Sequence, residues 1–264
     1  MKTIAVCTLK GGVGKTTAVF NLTGQLAFDG AKVLLVDMDP QCNLSNNVGI
    51  DIAQQDIYST KDIFENPKID PEKLVIKHPI SQLQDLDIIP GHILLTGVEF
   101  QLSSRPARER ILQYYIEDHQ DFFNSYDYVV FDTSPSMGII NQNTCYAADS
   151  IILVSDVDQN STLGAQLFMY LWEEIRIATR KADNVKALII NKFDVRTSLS
   201  GDLMDYFATD DELSQILIPH PIRSRVALRY AALQNIPVCL YKDGKSSTEE
   251  FKIIIQELKE RGVL

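Results

Sequence analysis

No run of about 18 consecutive apolar residues occurs in this chain, so nothing in it reads as a membrane-spanning helix. Its first residues, Met1-Lys2-Thr3, are not part of a basic and then apolar leader, which predicts a cytoplasmic protein. The four cysteines, Cys7, Cys42, Cys145 and Cys239, form no Cys-x-x-Cys pair and no cluster with histidine. That scatter argues against a zinc or iron–sulfur centre and predicts reduced thiols. Positive charge is scarce as well. With 25 basic and 35 acidic residues, the net charge is −10, so any hold on nucleic acid has to come from a local basic patch. No internal repeat or low-complexity linker divides the chain. Its 264 residues, 45% of them apolar, are enough for one domain with a two-sided core.

What is present is an alternation of apolar runs and helical patterns. Strands are predicted at Lys2–Thr8, Val33–Asp37, Asp87–Pro90, Tyr128–Asp132, Ser150–Val154, Lys186–Ile190 and Gln215–Ile218. Most are apolar throughout, as strands covered on both faces are. Helices are predicted at Lys15–Asp29, Arg105–Phe123, Asn160–Lys181 and Ser224–Gln234, the third with Leu163, Leu167, Tyr170, Leu171, Ile175 and Ala178 on one face. The order predicts an α/β fold, a doubly wound and mainly parallel sheet with its site at the carboxyl ends of the strands. Residues 41–85, with Asn43, Asn46, Asn47 and the pair Gln54-Gln55, read as a polar excursion from that sheet. In the closing segment Phe251, Ile254, Ile255 and Leu258 form a stripe beside mixed charges, which predicts a helix packed on the core rather than a membrane anchor.

The first apolar run leads into Lys10-Gly11-Gly12-Val13-Gly14-Lys15-Thr16-Thr17. Glycines let backbone N–H groups curl around phosphates, and the helix that follows adds its positive end. Lys15 is placed to reach the β- and γ-phosphates and Thr16 to offer its hydroxyl to Mg²⁺. The general pattern wants a glycine where this chain has Leu9; the variant here carries a second lysine, Lys10, instead. Two apolar strands end in acids. Val33–Asp37 runs on into Asp37-Met38-Asp39-Pro40-Gln41, where alternation puts Asp37 and Asp39 on one face, repelling each other unless a cation or water lies between. Tyr128–Asp132 offers Asp132 to Mg²⁺ through water, the oxygen chemistry that ion favours.

Together these motifs resemble the deviant Walker A ATPases, the ParA/MinD superfamily, over essentially the whole chain. The resemblance implies that Lys10 crosses to a partner subunit's nucleotide, that Asp39 orients the attacking water and that Asp37 organises the magnesium side. The loop Asp132–Gly138 is similar to the family's switch segment. Asn191-Lys192-Phe193-Asp194 matches the pattern by which GTPases read guanine, whereas in ParA-like proteins an asparagine here contacts adenine. A GTPase would read Asp-x-x-Gly from Asp132, but the fourth residue here is Pro135, and ATP is the expected nucleotide. Ile218-Pro219 is expected to form the other wall of the base slot, or else a simple turn. Lacking cluster cysteines and a basic tail, the chain looks closest to the short, Soj-like partition class, one ATPase domain over 1–264 with no N-terminal helix-turn-helix.

The resemblance implies a slow ATPase with ATP and Mg²⁺, an ATP-dependent homodimer, non-specific DNA binding at the nucleoid, and a ParB-type partner that stimulates hydrolysis. Rivals are a ParA-like ATPase that positions protein complexes and a metabolic P-loop enzyme. The family's segment after the last strand is I-P-R-N-x-R, but here it reads Ile218-Pro219-His220-Pro221-Ile222-Arg223. The expected DNA patch is therefore Arg223, Arg225 and Arg229 with Arg196; each could equally be a solvated or salt-bridged arginine.

Overall fold

Along the first strand, Lys2–Cys7 (β1), Ile4 and Val6 pack into one apolar cluster and Ala5 and Cys7 into another, and all four are buried. A strand wet on one side would alternate with polar residues; this one is covered on both faces. The computed structural model describes residues 1–52 and 57–264, so the pair Gln54-Gln55 lies outside the described residues. Val33–Asp37 (β2), Ile76–Lys77 (β3), Leu86–Ile89 (β4), Tyr128–Asp132 (β5), Ser150–Asp156 (β6) and Val185–Asn191 (β7) complete a seven-stranded sheet in the order β3-β4-β2-β5-β1-β6-β7. Every described pairing is parallel except that of β3 with β4.

The helices are Lys15–Phe28 (α1), Asn43–Asn47 (α2), Thr60–Glu65 (α3), Leu95–Leu102 (α4), Ile111–Asp118 (α5) and Gln120–Phe123 (α6). They continue with Ile139–Ala147 (α7), Gln159–Thr179 (α8), Ser198–Thr209 (α9), Leu213–Ile216 (α10), Val226–Leu233 (α11) and Lys245–Glu260 (α12). One face of the sheet packs against α1, α11 and α12. The other is covered by α3, α4, α5 and α7 over β2 and β5, and by α8, α9 and α10 over β6 and β7. The expected stripe Phe251, Ile254, Ile255 and Leu258 of α12 is buried in the first of these layers.

The predicted doubly wound sheet is the one observed, with three local corrections. Gln215–Ile218 is not a strand: α10 ends at Ile216, and only Leu217 bridges to Leu188. Pro219 and Pro221 have no N–H to give to a ladder, so only Ile218 and Ile222 donate to β7, each at 2.8 Å. The helix predicted over Arg105–Phe123 is interrupted: a 3₁₀ turn at Arg108–Arg110 precedes α5, and His119 (φ −122, ψ 34) parts α5 from α6. In α8 the stripe predicted to share one face is largely outward. Leu163, Leu167 and Tyr170 are exposed, while Ala165, Phe168 and Trp172 are buried. The helix carries two apolar faces, and the one with the large aromatics took the core.

Candidate functional site

β1 lies between β5 and β6, and the chain leaves its carboxyl end into Thr8–Gly14. Gly12 and Gly14 take φ of 80° and 84°, the left-handed region that β-carbons disfavour. A side chain on Gly14 would also collide with the amide of Asn191. The turn thus hands the backbone directly into α1, whose first residues border a cavity of about 520 Å³. Lys10, Gly11, Gly12, Val13, Gly14, Lys15, Thr16 and Thr17 line it, together with Asp39, Gln41, Pro135 and Lys192. Its size suits a nucleoside triphosphate's polar end, and helix α1 aims its positive end into it.

The two loop lysines have different stations. Lys15 is buried and its ammonium is ion-paired with Asp132 at the end of β5. Lys10 is part-exposed, its ammonium 3.3 Å from Asp156, the last residue of β6, and 2.8 Å from Asp158 just beyond it. Those two carboxylates hold its proton more firmly against the opposing pull of burial.

Asp37 and Asp132 occupy the same level of neighbouring strands, paired in register between β2 and β5. Asp37 is fully buried and accepts from the Ser45 hydroxyl at 2.7 Å, the Ser45 N–H at 2.9 Å and the Asp39 N–H at 3.2 Å. Burial nevertheless pushes its carboxyl up to about 7, with the charge of Asp132 adding to the rise. The carboxylate that presses on Asp37 is therefore Asp132; Asp39, expected to repel it, has turned its Oδ1 to the Gln41 N–H at 2.9 Å. Burial raises Asp39 too, and Lys15 partly offsets this.

The second oxygen of Asp132, Oδ2, is buried and has no hydrogen-bond partner among the described residues. An orphaned carboxylate oxygen beside a second buried acid, close to the Lys15-Thr16 turn, is a donor set that fits a hard divalent cation such as Mg²⁺. Thr16 lines the neighbouring cavity and can add its hydroxyl.

Beyond the loop lies a second cavity of about 410 Å³, lined by Gly14, Thr17, Asn191, Lys192, Arg223, Ser224, Arg225, Leu228 and Arg229. Asn191 ends β7 and donates to the carbonyls of Val13 (2.9 Å) and Gly14 (3.1 Å), which ties this cavity to the phosphate loop. Neither Ile218 nor Pro219, the expected wall of the base slot, lines this cavity. Ile218 is buried in the core, and the opposite wall is formed by Arg223–Arg225 and α11. Arg223, Arg225 and Arg229 are brought together, as their spacing suggested, but Arg196 is absent from that lining and holds Asp194 through two contacts of 2.9 and 2.6 Å. Glu250 of α12 pairs with Arg225 at 2.7 Å and with Arg223 at 3.5 Å.

Sequence reasoning missed Lys192 and Ser45. The Lys192 ammonium reaches the Gly12 carbonyl from a residue with φ 55°, and it borders both cavities. Its place inside Asn191-Lys192-Phe193-Asp194 was the available signal. Ser45 carries none, since it lies in the polar stretch after β2 and meets Asp37 only because α2 folds back.

The family described as AAA domain matches residues 1–186. The sporulation initiation inhibitor protein Soj of Bacillus subtilis is 29% identical over 270 residues, covering 99% of each chain. Among solved structures, a putative plasmid partition protein of Borrelia burgdorferi bound to AMPPNP is similar with TM-score 0.76 and 23% identity, over 97% of this chain and 99% of that one. Cobyrinic acid a,c-diamide synthase of Mycobacterium smegmatis, bound to an ATP analog and magnesium, has TM-score 0.82 and 22% identity, over 99% of this chain and 96% of that one. One fold thus serves a partition protein and a biosynthetic enzyme, so the fold alone selects neither.

Proposed function

This chain belongs to the AAA-domain family and to its ParA/Soj-like ATPases, and from that premise we propose a Mg²⁺-dependent DNA-partition ATPase acting as one domain over residues 1–264. With ATP bound, two copies close into a sandwich that holds DNA without regard to sequence; hydrolysis, stimulated by a ParB-type partner, opens it. The observation that carries this reading is the separation of the two loop lysines. Lys15 is buried in its pair with Asp132, while Lys10, part-exposed, lines the same cavity and pairs with Asp156 and Asp158 instead. A second loop lysine with acidic partners of its own, apart from the Lys15–Asp132 pair, supports a role distinct from that of Lys15.

In this mechanism Lys15 exchanges Asp132 for the β- and γ-phosphates, which frees both oxygens of Asp132 for the cation. Thr16 and Asp132, with Asp37 behind them, would hold Mg²⁺, which would supply neutralising charge to the phosphates. Asp39 lines the phosphate cavity itself and orients the attacking water. Asn191 and Lys192 steady the loop from the base side. Support for adenine comes from Asp194, the carboxylate a guanine reader would need, since Arg196 occupies it on both oxygens. The protein is expected in the cytoplasm, associated with the nucleoid.

Retention of the chain on random-sequence DNA at low salt tests the reading. Retention with ATP and Mg²⁺ and release with ADP is the expected result. Turnover of ATP with no retention in either state would move the assignment to an ATPase that positions protein complexes.

A further inference from the structure

Between Asp132 and α7 the chain runs through Thr133-Ser134-Pro135-Ser136-Met137-Gly138. Both ends of this loop are pinned. Thr133 donates its hydroxyl to the Val6 carbonyl of β1 at 2.9 Å, and the Met137 carbonyl accepts from the Gln142 amide at 2.9 Å. The stretch between them is gripped by Asn141, near the start of α7. Its Nδ2 donates to the carbonyls of Ser134 and Ser136, each at 2.7 Å, and its Oδ1 accepts from the Ser134 hydroxyl at 3.4 Å.

Asn141 is 2% exposed, so its amide is withdrawn from water and both of its N–H donors are spent on one turn. The start of α7 does not ask for this. The groups left open at a helix N-terminus are N–H donors, which another N–H cannot satisfy. The beneficiary is the residue that the two carbonyls flank, Pro135, whose ring fixes φ and which has no N–H of its own to anchor it. Pro135 lines the phosphate cavity, and a β-carbon on Gly11 of the phosphate loop would lie 3.9 Å from its ring. One chain of contacts thus runs from Asn141 through Pro135 to the cavity wall.

We infer that Asn141 is a positioning residue: through the Ser134–Ser136 turn it holds Pro135 against the phosphate loop and so fixes the wall beside the reacting phosphates. It is not itself among the residues that line the cavity. The role rests on the ATPase reading above. Lys15 and the start of α1 supply the grip on the phosphates, so loss of Asn141 should show in turnover and not in affinity. A wall displaced by about 1 Å costs up to about a hundredfold in rate.

Turnover per titrated nucleotide site, with ADP affinity measured alongside, tests this on two variants. Asn141→Ala removes the amide; Asn141→Asp keeps its shape and has no N–H to give. Both should bind ADP within about threefold of the wild type and hydrolyse ATP at least about tenfold more slowly. Gln142→Ala, which cuts the Met137 bond from the same helix, should stay within about twofold on both counts. A residue that only steadied α7 would lower the melting temperature and leave turnover per site unchanged. Hydrogen exchange on the nucleotide-free wild type does not depend on any variant's folding. The Ser136 N–H, 2.9 Å from the Ser134 carbonyl, and the Gly138 N–H, 3.3 Å from the Ser136 hydroxyl, report on the gripped turn. Both should exchange at least about a hundredfold more slowly than in an open chain. Undiminished turnover per site in both Asn141 variants overturns the proposal, and so does free exchange at these two amides. Either result leaves the ATPase reading standing, whereas a wild type that hydrolyses no ATP overturns that reading and this role together.

Discussion

Lys15 and Asp132 share one buried ion pair, and their roles separate only when nucleotide enters. Lys15→Ala removes the principal cation of the phosphate cavity and also strands Asp132. ATP binding should be largely lost, and the nucleotide-free fold should lose on the order of 3 kcal/mol, the scale of breaking a buried pair from one side. Isothermal titration and thermal melting read the two effects. Asp39→Ala is expected to behave differently, because Asp39 accepts a turn hydrogen bond and leans on no buried partner. It should bind ATP normally and hydrolyse it about two orders of magnitude more slowly, the usual scale for losing a positioned base.

Asp37 makes a prediction about pH. Its folded carboxyl titrates near 7, against 3.8 for the ordinary group, so between those values the folded chain holds a proton that the unfolded chain has released. Stability of the nucleotide-free protein should therefore fall as pH rises from about 4 to about 7 and level off above that. Asp39, raised as well, contributes with the same sign. Mg²⁺ with nucleotide favours the ionised pair and should flatten the slope. A melting temperature that rises steadily from pH 5 to 7 without ligand would contradict this account of the two acids.

At the scale of elements, Glu250 of α12 decides how much positive charge the Arg223–Arg229 segment shows. Glu250→Ala should strengthen retention of the ATP form on random DNA by roughly three- to tenfold at low salt, since counterion release grows with each freed cation. Arg223→Glu with Arg225→Glu should abolish retention and spare ATP-driven pairing; loss of ATP affinity instead would assign these arginines to the base cavity they line.

Legibility followed the same scale. β1, β2, β5, β6 and β7 could be read almost to the residue because strands buried on both faces are apolar throughout. The phosphate loop and Asp39 could be placed in one cavity because glycine spacing and a strand end fix backbone position locally. Long-range choices were not written locally. Which apolar face of α8 turns inward depends on Phe168 and Trp172 meeting β6 and β7. Whether Ile218 lines a slot or joins the core depends on two prolines that end its pairing and on α12 above it. The pairing of Arg223 and Arg225 with Glu250 spans more than 20 residues and had no motif to announce it.

For the whole molecule, the net charge of −10 sets the problem that pairing would solve. A monomer with a few arginines, most already engaged by acids, is a weak binder of a polyanion, and joining two such patches raises local concentration without a new contact. The described residues include no helix long and apolar enough to cross a membrane, and a closed pair is the proposed means of holding position. Everything in that proposal turns on Lys10 leaving Asp156 and Asp158 for another copy's phosphates. Sedimentation velocity with ATP and Mg²⁺, on the wild type and on Lys10→Ala, measures it most directly. The account predicts that the wild type sediments as a dimer with ATP and as a monomer with ADP, while Lys10→Ala binds ATP and stays a monomer. A Lys10→Ala chain that dimerises with ATP as the wild type does would contradict it.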